Sequence, residues 1–410
     1  MTNSGRAPYP LAADTFGDEE IREAIAVLKS RRVTMGERVR AFESEFATWV
    51  GAGHALMVNS GSSANLLMVD ALLRRTNGTA PLAAGDEVLV PGLSWPTTVW
   101  PLVQLGLVPV WVDVDPATLG LDLDSAATVV GPRTKAMLIV HPLGRALDLE
   151  MYQQFCRERS LILLEDACES LGAHWAGRHV GTVGGAGSFS FYFSHHISTI
   201  EGGMVVTDDS SLHDDLLSLR AHGWVRDRSD RAALAKRNPA FDDRFLFVMP
   251  GYNVRPMEMQ GAIGSIQLRR LDAMLDARED LAGTVAGWLS ERAPWIELIG
   301  ADTLGDVRPA VRRDRTHSWM ALPMRLRERA PVSRDAVVRH LEEKGVETRP
   351  LLAGNLARHP AAKGIVSRSA PSLDHCDELV DRAFMIGCHP VLAPAALETL
   401  ERALTSIPES

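Results

Sequence analysis

Two histidines, His195 and His196, stand side by side in the stretch FSFYFSHHISTIEGG, residues 189–203. A pair of imidazoles can share acid–base work near neutral pH or ligate a metal. Three other clusters bear on the choice. NSGSSAN, residues 59–65, is a Gly/Ser turn holding Ser62 and Ser63 where a helix should begin. Free backbone N–H groups and hydroxyls at such a start suit a phosphate, and equally read as a simple N-cap. GLSWPTT, residues 92–98, sets Trp95 beside another helix start, as core packing or as a flat plate for a ring ligand. LILLEDACES, residues 161–170, ends an apolar run in Glu165 and Asp166, with Glu169 three residues on. Carboxylates closing a buried strand are costly unless they are paired or used.

The elements that must carry these clusters follow from periodicity. Residues 18–50 read as two helices broken at Thr34–Gly36, with apolar residues recurring at three and four. From residue 55 short apolar runs alternate with helical stretches: HALMV, DEVLVPG, PVWVDVD, KAMLIVHPLG and LILLEDA are each followed by a helix or a turn. Runs so continuously apolar, joined by helices, indicate a parallel sheet buried on both faces. A long helix from Glu258 to Arg292 then leads into an α+β region. The expected architecture is α/β, with N-terminal helices and a large ligand-binding domain over residues 1–280 and a smaller α+β domain over 281–410.

Composition narrows the function classes. The chain has 410 residues, 46% hydrophobic, with 52 acidic against 43 basic side chains and a net charge of −9. No basic stripe suggests nucleic acid. No apolar run reaches the length of a membrane span, and the N-terminus lacks the layout of a secretion signal. The cysteines, Cys156, Cys168, Cys376 and Cys388, lie too far apart for a metal knuckle, and no metal site is expected. A cytoplasmic protein is expected.

In open parallel sheets, ligands bind beyond the carboxyl ends of the strands. A phosphate turn, an aromatic plate and a strand-end carboxylate, met in that order, suit a flat, phosphorylated, protonated heteroaromatic. Pyridoxal 5′-phosphate fits, with the carboxylate holding the proton on the ring nitrogen and keeping the ring an electron sink.

The motifs SGSSANLL, GDEVLVPGLSWPTT, PVWVDVDPATLGLD, EDACESLGAHWAGRHVGTVG, SFYFSHH, EGGMVVTDD and GYNVRPMEMQGAIGSIQL occur in one order over nearly the whole chain. In this the sequence resembles the sugar aminotransferases of the DegT/DnrJ/EryC1/StrS type, of the fold-type I pyridoxal phosphate superfamily. That resemblance implies a mostly parallel central sheet flanked by helices, and a homodimer with shared active sites. Aligned on Ser190, Phe191 and Tyr192, the family's cofactor-binding lysine position holds His195. Replacement by histidine resembles the pyridoxamine phosphate-dependent keto-sugar 3-dehydratases. A sister branch with an iron–sulfur cluster and a reductase partner needs clustered cysteines, which this sequence lacks.

By resemblance, Asp166 pairs with the pyridine nitrogen, Trp95 stacks on the ring, and Ser62, Ser63 and Ser190 hold the phosphate. Asn253 reaches that phosphate from a second subunit, and Glu169 lies near the ring hydroxyl. His222 and Arg226 of AHGWVRD, with Glu347 and Arg349 of VETRP, are candidates for contacting substrate or an amino-acid co-substrate. As residues alone they read as a capping histidine and surface ion pairs.

Histidine changes the expected chemistry. Lysine tethers the cofactor and shuttles protons, whereas histidine, of reference pKa about 6.5 against about 10.4, does only the second. The cofactor is then not covalently bound. His195 is the expected catalytic base, taking a proton from the cofactor's C4′ carbon while the C3 hydroxyl leaves a nucleotide-linked 4-keto-6-deoxyhexose, GDP-4-keto-6-deoxy-D-mannose or a similar sugar. L-Glutamate would restore the amine form. The rival readings are an ordinary nucleotide-sugar aminotransferase with its lysine elsewhere and a non-catalytic, cofactor-binding regulator.

Overall fold

The computed structural model describes residues 7–12, 15–304 and 315–408. Its strands are β1 (His54–Val58), β2 (Glu87–Pro91), β3 (Val108–Val112), β4 (Thr134–Val140), β5 (Ile162–Asp166), β6 (His174–Trp175), β7 (Arg178–His179), β8 (Ala186–Ser190), β9 (Gly203–Thr207), β10 (Ile296–Leu298), β11 (Ala321–Leu326), β12 (Thr348–Arg349), β13 (Arg368–Ser369) and β14 (Ala383–Gly387). The central sheet has eight strands in the order β1-β9-β8-β5-β4-β2-β3-β13. All neighbours from β8 to β13 pair in parallel, and β9 runs antiparallel to both β8 and β1. A second, antiparallel sheet of order β10-β11-β14-β12 belongs to the C-terminal part.

The expected strands and helices form because each apolar run has somewhere to be buried. β2 and β3 are buried at every position, as a strand covered on both faces must be. The aromatic run before the histidines obeys strand alternation. Phe189 and Phe191 point one way and pack edge-on against Phe42 and Phe46 of the helix Glu37–Val50. Ser188 and Ser190 therefore point the other way.

The long helix runs Glu258–Arg292, as its periodicity predicts. Leu268, Leu271, Met274 and Leu275 join the core of the large sheet, while Leu281, Ala282, Val285 and Leu289 join the core of the second sheet. The expected division at residue 280 thus falls inside this helix. Its first residue, Glu258, accepts N–H bonds from Gly36 (2.6 Å), Arg38 (2.9 Å) and Val39 (3.0 Å), so one carboxylate caps the helix Glu37–Val50 across the fold. Residues 351–383 return from the second unit to the first: β13 extends the large sheet beside β3, and Leu351, Leu356, Leu373 and Leu379 pack in its core. Among the described residues no helix is long and apolar enough to cross a membrane.

Candidate active site

The neighbours Glu165 and Asp166 part company at the end of β5, because successive strand residues face opposite sides. Glu165 turns inward, where it accepts N–H bonds from Gly181 (2.7 Å), Val183 (2.7 Å) and Gly184 (2.6 Å) and lies 3.0 Å from His141 Nε2. Burial works against its charge, but these partners hold its pKa below the ordinary value. It anchors the loop into β8. Asp166 faces the other way. Its Oδ2 accepts from Asn65 Nδ2 and Thr98 Oγ1, both at 2.8 Å, and its Oδ1 accepts from the Cys168 N–H at 3.1 Å. Asn65 is itself fixed by Ser188, whose hydroxyl donates to Asn65 Oδ1 at 2.6 Å.

Those donors come from the two helix starts singled out in the sequence. The helix Gly61–Leu73 is capped by Ser60, which accepts the Ser63 N–H at 3.1 Å, and Ser63 Oγ donates to Asn59 Oδ1 at 2.6 Å. The N-cap reading of the turn is thus correct for Ser60. Ser62 is exposed at the same end, and among the described residues the N–H groups of Gly61 and Ser62 have no protein acceptor. Ser190 meets this helix start from β8. A Cβ on Gly61 would lie 2.5 Å from Ser190 Cβ. Gly203, opening β9, approaches as closely, since its Cβ would fall 2.4 Å from Ser60 O. The helix Pro96–Gln104 begins just after Trp95, which is 53% exposed. The Trp95 indole is thus not core, and it opens the helix whose Thr98 reaches Asp166.

His195 is half-buried on the turn after β8. Its N–H donates to Tyr192 O at 3.0 Å, and the two rings meet edge to face with centroids 6.0 Å apart. Nδ1 is shut away from solvent without a protein partner, leaving Nε2 as the outward nitrogen. Burial, with a smaller contribution from the Arg278 charge, lowers its pKa to about 4. His196 does something else. It is buried, its Nε2 donates to Ser318 O at 3.0 Å, and it ties the turn to the segment leading into β11. Glu169, half-buried, accepts the Leu143 N–H at 3.0 Å. Burial, helped by the charge of Asp166 and opposed by that hydrogen bond, pushes its pKa up to about 8.

The remaining sequence candidates make contacts of their own. His222 is exposed in a left-handed conformation (φ 65°), its N–H bonded to Tyr252 O at 2.7 Å. Arg226 stacks on Trp224 at 4.3 Å and pairs loosely with Asp227 at 3.4 Å. Asn253 is exposed and accepts from Arg255 Nε at 3.0 Å, while the next residue, Val254, accepts the N–H of Asn59 at the phosphate turn. Glu347 takes the Leu11 N–H at 2.8 Å and pairs with Arg349 at 2.5 Å, on the edge strand β12 of the second sheet. Ion pairing accounts for the described contacts of Glu347 with Arg349 and of Arg226 with Asp227.

Asn65, Thr98, Ser188 and Leu143 were not singled out in the sequence. Asn65 and Thr98 end motifs that were, and their polarity on helices with buried faces was the available signal. Leu143 donates through its backbone and left no trace. All five lysines (Lys29, Lys135, Lys236, Lys344 and Lys363) are exposed. The glycine gap against Ser190, the open N–H groups, the free indole face and the fixed Asp166 together fit a phosphorylated pyridine ring, and no buried amine stands ready to bind it covalently.

A sequence profile of the DegT/DnrJ/EryC1/StrS aminotransferase family matches residues 14–405. The chain is 39% identical over 353 residues to GDP-4-keto-6-deoxy-D-mannose 3-dehydratase of Yersinia pseudotuberculosis, covering 86% of each chain. Among solved structures it resembles a histidine-to-asparagine variant of GDP-4-keto-6-deoxymannose-3-dehydratase with bound GDP-perosamine, at 36% identity and a TM-score of 0.87, covering 97% of this chain and 100% of that one. It also resembles a GDP-4-keto-6-deoxymannose-3-dehydratase with a trapped PLP-glutamate geminal diamine, at 34% identity and a TM-score of 0.86, with the same coverage. The match spans both sheets and every motif of the site, and the chain belongs to the DegT/DnrJ/EryC1/StrS aminotransferase family.

Proposed function

We propose that this protein is a pyridoxamine phosphate-dependent 3-dehydratase that removes the C3 hydroxyl of a nucleotide-linked 4-keto-6-deoxyhexose, GDP-4-keto-6-deoxy-D-mannose or a close analogue, and that L-glutamate restores its cofactor. The observation that carries this reading is His195. An imidazole occupies the turn after the strand that carries Ser190, while every lysine is at the surface.

When bound, the cofactor supplies an amine for the keto group and an electron sink in its ring. Gly61, Ser62 and Ser190 would hold the phosphate through N–H groups and hydroxyls. Ser63, the fourth expected residue, already commits its N–H to Ser60 and its hydroxyl to Asn59 and would have to release one of them to join. Trp95 would cover one face of the ring. Asp166, oriented by Asn65, Thr98 and Cys168, would hold the proton on the ring nitrogen, and Glu169 would stand near the ring hydroxyl. His195 would move a proton at C4′ through Nε2. Low basicity keeps that nitrogen bare at neutral pH, and once charged it readily surrenders the proton to the departing hydroxyl, which leaves as water.

Further parts of the reading rest on the family. A homodimer would let Asn253 complete the phosphate site of its partner. His222 and Arg226, with Glu347 and Arg349, would contact the nucleotide sugar or glutamate. Three of the cysteines lie at separate places, Cys168 beside Asp166, Cys376 bonded to Asp113 and Cys388 against Arg278, so the cycle would run without an iron–sulfur reductase partner, in the cytoplasm.

The test is incubation with GDP-4-keto-6-deoxy-D-mannose, pyridoxal phosphate and L-glutamate. A 3-deoxy-4-keto sugar with ammonia and 2-oxoglutarate is expected. A 4-amino sugar would establish an aminotransferase instead.

A further inference from the structure

Arg278 sits midway along the helix Glu258–Arg292 and is 3% exposed. Its Nη1 donates to the carbonyls of Trp319 (3.1 Å), Met320 (3.2 Å) and Cys388. Trp319 and Met320 lead into β11 and Cys388 follows β14, so one guanidinium grips both central strands of the second sheet at one end. Its Nε is buried with no protein partner, and among the described residues no carboxylate pairs with it. A buried arginine held by carbonyls and neighboured by the Cys388 thiol and the Tyr9 hydroxyl, with no carboxylate, is an expensive arrangement.

The segment it grips also touches the active site in two places. Ser318 O accepts from His196 Nε2, next to His195. Ser318 N and Met320 N donate to Gly144 O (2.7 Å) and Leu143 O (3.0 Å), and Leu143 N–H in turn holds Glu169. Leu143 (φ 50°) and Trp319 (φ 50°) are both left-handed, and a Cβ on Gly144 would lie 2.4 Å from Trp319 N, so the crossing leaves no slack.

We propose that Arg278 is a positioning residue for His195: by gripping the carbonyls of Trp319, Met320 and Cys388 it locks residues 318–320 against the histidine turn and holds the imidazole in its half-buried place. The ionisable groups brought to this junction are Tyr192 and His196 on the turn itself, Asp166 at the end of β5 and Glu169 after it, His317 on the gripped segment, and Tyr9, Cys388 and His389 around Arg278. The Arg278 charge disfavours a proton on His195, and burial makes the larger contribution to keeping the ring neutral. A neutral glutamine at 278 should therefore release part of the effect, and lysine should preserve the charge while losing the forked grip.

The mechanistic meaning rests on His195 being the base, but the test does not. The His195 imidazole is titrated by NMR in the cofactor-free protein, its resonance assigned through His195→Asn, alongside thermal melts. Arg278→Gln is expected to raise the His195 pKa, though not to that of a free imidazole, because burial remains. Arg278→Lys is expected to leave it near the native value while lowering the melting temperature. Loss of stability in both variants with no movement of the His195 titration in Arg278→Gln would overturn the proposal. Should the glutamine variant not fold, a His195 titration in Arg278→Lys that moves up despite the retained charge would overturn it as well. With substrate, the acid limb of kcat should move with the imidazole; an imidazole that shifts while the limb stays would count against His195 as the base and leave Arg278's role standing.

Discussion

Gly61 and Ser190 stand so close that a Cβ on the glycine would overlap the serine, 2.5 Å from its Cβ and 2.8 Å from its Oγ. The backbone of Gly61 is helical, so its need for glycine is one of space, not of dihedral angle. Overfilling a packed site costs about 1–3 kcal/mol. Gly61→Ala should lower the melting temperature and, by pushing Ser190 away from the helix start, weaken pyridoxal phosphate binding about tenfold, read by absorbance titration. Unchanged affinity would place the phosphate elsewhere.

Asp166 is aimed by its donors. Thr98→Val and Asn65→Leu each remove one hydrogen bond to a carboxylate, worth about 1.5–3 kcal/mol. Each should reduce turnover roughly ten- to a hundredfold, and because both bonds end on the same oxygen their effects should not add. Strict additivity in the double variant would mean that the two residues act separately.

The two histidines should separate cleanly. His195→Asn should abolish C3 deoxygenation while cofactor still binds, with little change in melting temperature. His196→Leu strands the Ser318 carbonyl and should cost about 1–3 kcal/mol of stability. Retained turnover in His195→Asn would remove it from the mechanism.

Glu169 gives a pH signature. Its folded pKa, near 8, lies above the unfolded value of about 4.3. Such a group contributes full stability below its unfolded pKa and loses it as pH rises through the folded one. Glu169→Gln keeps an acceptor for the Leu143 N–H and cannot ionise. Its melting temperature should gain on the native protein progressively between pH 5 and 9. A gap independent of pH would show that Glu169 ionises freely.

Borohydride reduction in the presence of pyridoxal phosphate should leave no cofactor attached by mass spectrometry. An adduct on any of the five lysines would overturn the untethered site.

What the sequence made legible was local. Alternating and 3.6-residue patterns located the strand ends bearing Trp95 and Asp166, and the full extent of the helix Glu258–Arg292, because those elements are buried in the way their periodicity demands. Facing was harder. Glu165 and Asp166 looked alike as strand-end carboxylates, and only the partners of each side of β5 show that one anchors a loop while the other meets the site. His195 and His196 parted for the same reason. Arg278 was invisible, since its three acceptors are backbone carbonyls far along the chain and carry no side-chain signature. The return of residues 351–383 to the first core likewise depends on long-range packing that no window of sequence contains.

The helix Glu258–Arg292 has consequences for anyone wishing to take the molecule apart. Its 35 residues make a rod roughly 50 Å long, with Glu258 fastened to the first turn of one helix and Arg278 to the ends of two strands. A gene cut near residue 280 would sever this rod in midspan. One fragment would carry off Arg278, and the other would keep the Leu281–Val285 ridge on a sheet whose strand ends had lost that anchor. The β13 strand would leave with the wrong fragment, baring the edge of β3. The chain is therefore a single unit of expression and inheritance, and shuffling with relatives would succeed only at crossovers that keep this rod whole.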